Sequence, residues 1–137
     1  MATTIYLDTS AAAKLFIAEV ESPDLRQWFG SVAEPRLVSS VLLKVELIRL
    51  MRLIAPTAVQ TAEQFIADRI DIVEITPPVI DDATTVPPAR LRSLDALHLA
   101  TALDLAESVD VVLTYDKVLV DAARSAGLAV AHPGATY

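Results

Sequence analysis

Five short runs of strand-forming residues, Thr4–Leu7, Arg36–Ser39, Ile70–Ile75, Val109–Leu113 and Leu128–Ala131, alternate with stretches that carry helix signals. Parallel strands need a long crossover between them, most often a helix, so this rhythm predicts an α/β fold in which helices cover a parallel sheet. The helix boundaries follow from local chemistry. The polar cluster Asp8-Thr9-Ser10 opens a helix over Ala11–Ala18, and Ser22 followed by Pro23 opens a second toward Phe29 and Gly30. Ser39 or Ser40 caps a long helix through Leu53 that stops before Pro56, and another runs from Thr57 to about Asp68. Pro77 and Pro78 start a short helix, and Pro87-Pro88 marks a rigid loop. Ser93 caps a helix to about Glu107, and Thr114-Tyr115-Asp116 leads into a last helix that ends at Gly127.

At 137 residues the chain fits one domain, spanning 1–137, and can bury roughly two-thirds of its unfolded surface in one core. Hydrophobic residues are 53% and charged residues 21%, which excludes disordered, collagenous and low-complexity classes. That surplus of apolar surface predicts an oligomer or partner interface, and a dimer is expected. The absence of cysteine removes disulfides, zinc–thiolate sites and thiol nucleophiles, and suits the cytosol. Met1–Asp8 has no basic leader and its apolar stretch stops at Asp8, so neither a signal peptide nor an anchor is expected. The longest apolar segment, Val41–Ala55, is broken by Lys44, Glu46, Arg49 and Arg52 and would not span a bilayer.

Eleven basic against eighteen acidic residues give a net charge of −7, which argues against binding nucleic acid through bulk positive charge. Two local segments run the other way. Arg36, Lys44, Arg49 and Arg52 face only Glu46 between Arg36 and Ala55, and Arg90 and Arg92 lie in an acid-free stretch. Each is either a solvated face or a place where a polyanion docks.

Sites in open α/β sheets form beyond the carboxyl ends of the strands. Two aspartates stand there: Asp8 directly after Ile5-Tyr6-Leu7, and Asp116 shortly after Val111-Val112-Leu113. Each is also a natural helix N-cap. Glu46 lies along an apolar stripe with Leu42, Leu43, Leu50 and Leu53, so its carboxylate is partly buried and must be protonated, paired or bound to a cation. Arg49, three residues on, is its alternative partner. Asp95 falls in the first turn of the helix after Ser93, where the helix dipole alone would justify it. Brought together, these four carboxylates repel unless a counter-charge intervenes, and an oxygen-only donor set points to Mg²⁺ or Mn²⁺. Ser93, Asp95 and His98 contain the residue types of a hydrolytic triad, but they crowd into two helical turns and no G-x-S-x-G motif surrounds the serine. His98 reads as a helix-packing residue near the site, and His132 as a surface residue.

The segments IYLDTSAAAKLF (Ile5–Phe16), SSVLLKVELIRL (Ser39–Leu50), LRSLDALHLATAL (Leu91–Leu103) and VVLTYDKVLVDAARSAGL (Val111–Leu128) resemble PIN-domain ribonucleases, most closely the VapC toxins of bacterial toxin–antitoxin pairs. The resemblance covers essentially the whole chain. It implies a three-layer α/β/α fold around a parallel sheet of about four to five strands. It also places the family's metal-binding and catalytic acids on Asp8, Glu46, Asp95 and Asp116, with Asp116 at the family's least uniform position. Ser10 and Thr114 match its supporting hydroxyls, and Lys14, Arg90 and Arg92 become candidates for RNA phosphate contacts. The implied activity is Mg²⁺-dependent endoribonucleolytic hydrolysis, with Mn²⁺ as a substitute, by metal-activated water. With two ions, the second would stabilise the leaving 3′-oxygen, giving 5′-phosphate and 3′-hydroxyl ends. The implied partners are a VapB-like antitoxin, a second copy of the chain and RNA. A catalytically silent PIN-like binding module is the rival reading. A phospho-aspartate receiver is a third class, but the paired acids after its first strand and its mid-chain phospho-acceptor are missing.

Overall fold

The computed structural model describes all 137 residues, Met1–Tyr137. In chain order the elements are β1 (Thr3–Leu7), α1 (Thr9–Ala13), α2 (Ser22–Ser31), β2 (Pro35–Ser40), α3 (Val41–Ile54), a 3₁₀ turn (Pro56–Ala58), α4 (Val59–Arg69), β3 (Ile70–Val73), α5 (Pro77–Ala83), α6 (Ser93–Asp104), β4 (Val111–Leu113), α7 (Lys117–Ser125) and β5 (Val130–Ala131). The five strands form one parallel sheet in the order β3-β2-β1-β4-β5, as the alternating pattern predicts.

Side chains alternate across the sheet, and the register assigns each face its own helices. Ile5 pairs with Leu37 and Leu7 with Leu113, and all four enter a fully buried cluster with Leu43, Leu47 and Met51 of α3 and Ala62 and Ile66 of α4. Leu43, Leu47 and Met51 recur every four residues, so they form a single stripe, and burying each contributes about 1.5–3 kcal/mol. Tyr6, Val38 and Val112 face the other way, toward Ala102 of α6. Beside them, Ala96 and Leu99 of α6 pack on Leu119, Ala122 and Ala123 of α7. The three layers are thus α1–α4, the sheet, and α5–α7.

The chain runs outward from β1 through β2 and β3, then crosses back to β4 on the other side of β1. The carboxyl ends of β1 and β4 consequently lie side by side at the switch point, where such sheets place their ligand sites. Ser39 strengthens this end by donating its hydroxyl to the Leu7 carbonyl at 2.6 Å, while Ser40 caps α3 by accepting from Leu42 N at 3.2 Å.

Several local expectations are corrected. The first helix ends at Ala13 rather than Ala18 because the Ser22 hydroxyl donates to the Lys14 carbonyl at 2.8 Å and turns the chain there. Ser22 is accordingly the first residue of α2 and not its cap, and Ser93 is the first residue of α6, whose N-cap position is Arg92. That helix stops at Asp104, three residues before Glu107. No helix is long and apolar enough to cross a membrane.

Candidate active site

Asp8 is the first residue after β1 and caps α1, accepting from Ser10 N at 3.3 Å. The same Oδ2 accepts from Ser10 Oγ at 2.6 Å and from Thr114 Oγ1 at 2.8 Å. Ser10 Oγ in turn accepts from Tyr115 N at 2.9 Å, and Thr114 Oγ1 from Asp116 N at 3.2 Å. The two hydroxyls therefore lace the ends of β1 and β4 together and lock one oxygen of a nearly buried carboxylate. The other, Oδ1, is 3.8 Å from His98 Nε2.

Glu46 approaches from α3. Its Oε1 accepts from Thr9 Oγ1 at 2.9 Å and from His98 Nε2 at 2.7 Å, so its partner is His98 and not Arg49. His98, only 1% exposed, has its other ring nitrogen hydrogen-bonded to Tyr6 Oη at 2.8 Å. Burial alone would push the imidazole down, but the Glu46 hydrogen bond and the charges of Asp8, Glu46 and Asp95 outweigh it, and its pKa is raised. Burial likewise favours protonation of Glu46, yet His98 and Thr9 hold it below the usual carboxylate range. The pair is a histidine–carboxylate bridge in which each group favours the charged form of the other. Burial drives the Tyr6 phenol far upward, so it remains an O–H.

Asp95, in the first turn of α6 and half-buried, is pushed up to about 6 by burial and by the charges of Asp116 and Asp8, with His98 and Arg92 pulling weakly against them. Asp116 caps α7 through Oδ1, which accepts from Leu119 N at 3.0 Å. The capping reading of Asp8 and Asp116 is thus correct, and both still act on the same neighbour.

The expectation of a single closed cage needs correction. The four acids share one electrostatic neighbourhood, but no three acidic or histidine side chains stand together as a ready coordination set. His98 already takes one oxygen of Glu46, and mutual repulsion gives Asp95 and Asp116 no reason to close on Asp8 by themselves. The donor chemistry nonetheless fits a hard divalent ion: the donors are carboxylate oxygens, and one carboxyl is held at a raised pKa for want of a counter-charge.

Among the basic candidates, Lys14 is corrected. Its ammonium is buried in pairs with Glu19 at 3.3 Å and Glu21 at 3.1 Å and lies over the Tyr115 ring, leaving nothing for a phosphate. Arg90 and Arg92 are exposed, and Arg92 is near enough to lower the Asp95 pKa. His132 is partly exposed at the surface, as expected, beside Arg124 and the Ala135 carbonyl.

The family model for the PIN domain matches residues 5–125. Over 133 residues the chain is 38% identical to Ribonuclease VapC47 of Mycobacterium tuberculosis (strain CDC 1551 / Oshkosh), covering 96% of this chain and 98% of the relative. It is 42% identical over 133 residues to Ribonuclease VapC35 of M. tuberculosis (strain ATCC 25618 / H37Rv), covering 95% and 97%. This chain belongs to the PIN-domain family. Its fold is similar to that of M. tuberculosis VapC20, a sarcin–ricin-loop-cleaving toxin, with a TM-score of 0.74 at 17% identity over 94% of this chain and 99% of the other. It is also similar to a toxin–antitoxin complex from Klebsiella pneumoniae, with a TM-score of 0.71 at 16% identity over 94% and 97%.

Three polar residues of this PIN domain's site escaped the sequence reading: Thr9 and Tyr6, and the bridging role of His98. A tyrosine pointing into a sheet face and a histidine on an apolar helix face each need a buried partner. That shared need was the available signal.

Proposed function

We propose that this PIN domain, residues 1–137 acting as one unit, is a Mg²⁺-dependent endoribonuclease and the toxin of a toxin–antitoxin pair in the cytoplasm. The observation that carries the reading is the gathering of Asp8, Asp95 and Asp116 where the ends of β1 and β4 meet at the switch point of a parallel sheet, close enough that burial and the charges of Asp116 and Asp8 push the Asp95 carboxyl up. A stability-neutral surface would not gather acids that repel. The ribonuclease names of the two relatives agree with it.

Asp8, Glu46, Asp95 and Asp116 are the residues that would hold Mg²⁺, or Mn²⁺ in its place. When bound, such an ion polarises a scissile phosphate and lowers the pKa of a bound water. Ser10 and Thr114 hold Oδ2 of Asp8, which leaves Oδ1, 3.8 Å from His98 Nε2, without a hydroxyl donor. His98 keeps Glu46 ionised. Burial and the charges of Asp116 and Asp8 raise the pKa of Asp95, and a bound cation would favour its ionised form. Arg92, whose charge reaches Asp95, and Arg90, exposed two residues before it, are the proposed contacts to RNA phosphates.

An antitoxin segment is the proposed inhibitor. A groove of about 650 Å³ runs along α3, lined by Val45, Glu46, Arg49, Leu50, Leu53 and Leu94, and brings an apolar surface up to a catalytic acid. Exposed Val41, Val45, Leu53 and Ile54 on the same helix support a second copy as a further partner.

Sequencing of RNA ends after induced expression tests the reading. Defined cuts leaving 5′-phosphates, lost on Asp95→Asn and on chelation of the purified enzyme by EDTA, are expected. Growth inhibition that survives Asp95→Asn, or binding without cutting at any Mg²⁺ concentration, contradicts it.

A further inference from the structure

Two carboxylates of the site are held in the same way. Asp8 gives Oδ2 to Ser10 and Thr114 and keeps Oδ1 free of hydroxyl donors. Glu46 gives Oε1 to Thr9 and His98, and its Oε2 accepts no hydrogen bond. Each acid therefore has one oxygen committed to the protein and one left over. For Asp8 the committing groups are two small hydroxyls on the strand ends, as the sequence resemblance implies. For Glu46 the main one is a histidine from α6, 52 residues away in sequence.

The histidine is itself over-determined. Its ring is 1% exposed, its Nδ1 is hydrogen-bonded to Tyr6 Oη at 2.8 Å, and the two rings meet edge to face at 78°. Tyr6 is fixed in the central strand two residues before Asp8, with 1% exposure. A rigid path thus runs from β1 through Tyr6 and His98 to the Glu46 carboxylate. Its last atom, His98 Nε2, also stands 3.8 Å from the uncommitted oxygen of Asp8. A packing role needs none of these polar contacts; a leucine would fill the space.

We propose that His98, anchored by Tyr6, is a positioning residue that aims Glu46 and spaces it from Asp8 for the divalent cation, acting through these acids without being a ligand. The inference rests on the metal-dependent reading above. It makes the orientation of an α3 side chain depend on a tyrosine of β1, and predicts that cation affinity changes when either link is removed.

The test uses the full-length protein and Mn²⁺ as probe, with affinity measured by isothermal titration calorimetry and by electron paramagnetic resonance of free Mn²⁺. Tyr6→Phe removes the anchoring hydroxyl and keeps the ring in place, so it retains the fold if His98→Ala does not. The expected result is a three- to tenfold weaker Mn²⁺ affinity in Tyr6→Phe and a larger loss in His98→Ala, partly recovered in His98→Gln, whose amide can still donate to Glu46. With RNA, the Mg²⁺ concentration for half-maximal cleavage should rise by the same factor in Tyr6→Phe, while kcat at saturating Mg²⁺ stays within about twofold of wild type. Mn²⁺ affinities within twofold of wild type in folded Tyr6→Phe and His98→Gln would overturn the proposal and leave His98 a packing residue. If the wild-type protein binds Mn²⁺ in a Tyr6-dependent way yet cuts no RNA, the positioning role stands and the nuclease reading falls.

Discussion

Replacing Asp95 with Asn should make the metal-free protein more stable while removing its activity. The carboxyl rises from 3.8 to about 6 in the folded protein. At about 1.4 kcal/mol per pH unit this rise corresponds to about 3 kcal/mol of destabilisation once the group is ionised. Asp95 is only half-buried, so solvent screening reduces the figure to roughly 1.5 kcal/mol. A further ~0.5 kcal/mol is offset because a first-turn aspartate is favoured by the helix dipole. The net gain for Asp95→Asn is about 1 kcal/mol. A chain of 137 residues unfolds with an entropy of about 0.29 kcal/mol/K, so Tm should rise by about 3–4 °C at pH 7.5 in EDTA. The sign follows from linkage: the folded state binds the extra proton, so this group favours folding fully below the unfolded pKa and loses that contribution as pH climbs through about 6. At pH 5 the gain from the substitution should shrink to about 1 °C. Differential scanning calorimetry at the two pH values decides it. A Tm unchanged or lowered at pH 7.5, or a rise of equal size at pH 5, would refute the claim that burial and the charges of Asp116 and Asp8 together hold the Asp95 carboxyl at a raised pKa.

Other perturbations separate the site from its scaffold. Leu47→Ala, at a fully buried position of α3, should cost about 2–5 kcal/mol in urea denaturation. Lys14→Met breaks the pairs with Glu19 and Glu21 and should lower Tm slightly without changing RNA affinity in filter binding. Arg92→Ala should do the reverse, weakening RNA binding and flattening its salt dependence with Tm unchanged. Adding Mg²⁺ should raise the Tm of wild type more at pH 7.5 than at pH 5, and raise that of Asp95→Asn by clearly less.

The sheet was legible because its signal is local and repeated: strand runs bounded by capping residues show in a single pass, and all five strands formed where the β-rich runs stand. Asp8 and Asp116 were legible for the same reason, since a residue just past a parallel strand lies at the sheet's ligand-binding end whatever its other duties. Glu46 stood out as a charge on an apolar stripe, but its partner could not be read locally. Arg49 is three residues away and His98 is fifty-two; only the packing of α6 across the sheet ends selects the latter. The length of α1 failed for a kindred reason. Alanine-rich propensity favours continuing the helix, and a hydroxyl eight residues further on takes the Lys14 carbonyl instead. Lys14 is not the free cation its sequence neighbourhood suggests, because Glu19 and Glu21 come back to it once that turn has formed.

The proposed function requires a divalent ion to draw Asp8, Glu46, Asp95 and Asp116 into one coordination set that the protein alone leaves open. An X-ray structure of crystals grown with Mn²⁺, with anomalous data, tests it most directly. An anomalous peak between the ends of β1 and β4 is expected, with aspartate oxygens of both strand ends and of Asp95 at about 2.0–2.2 Å. Full-occupancy Mn²⁺ elsewhere, with Asp95 and Asp116 still apart, would contradict it.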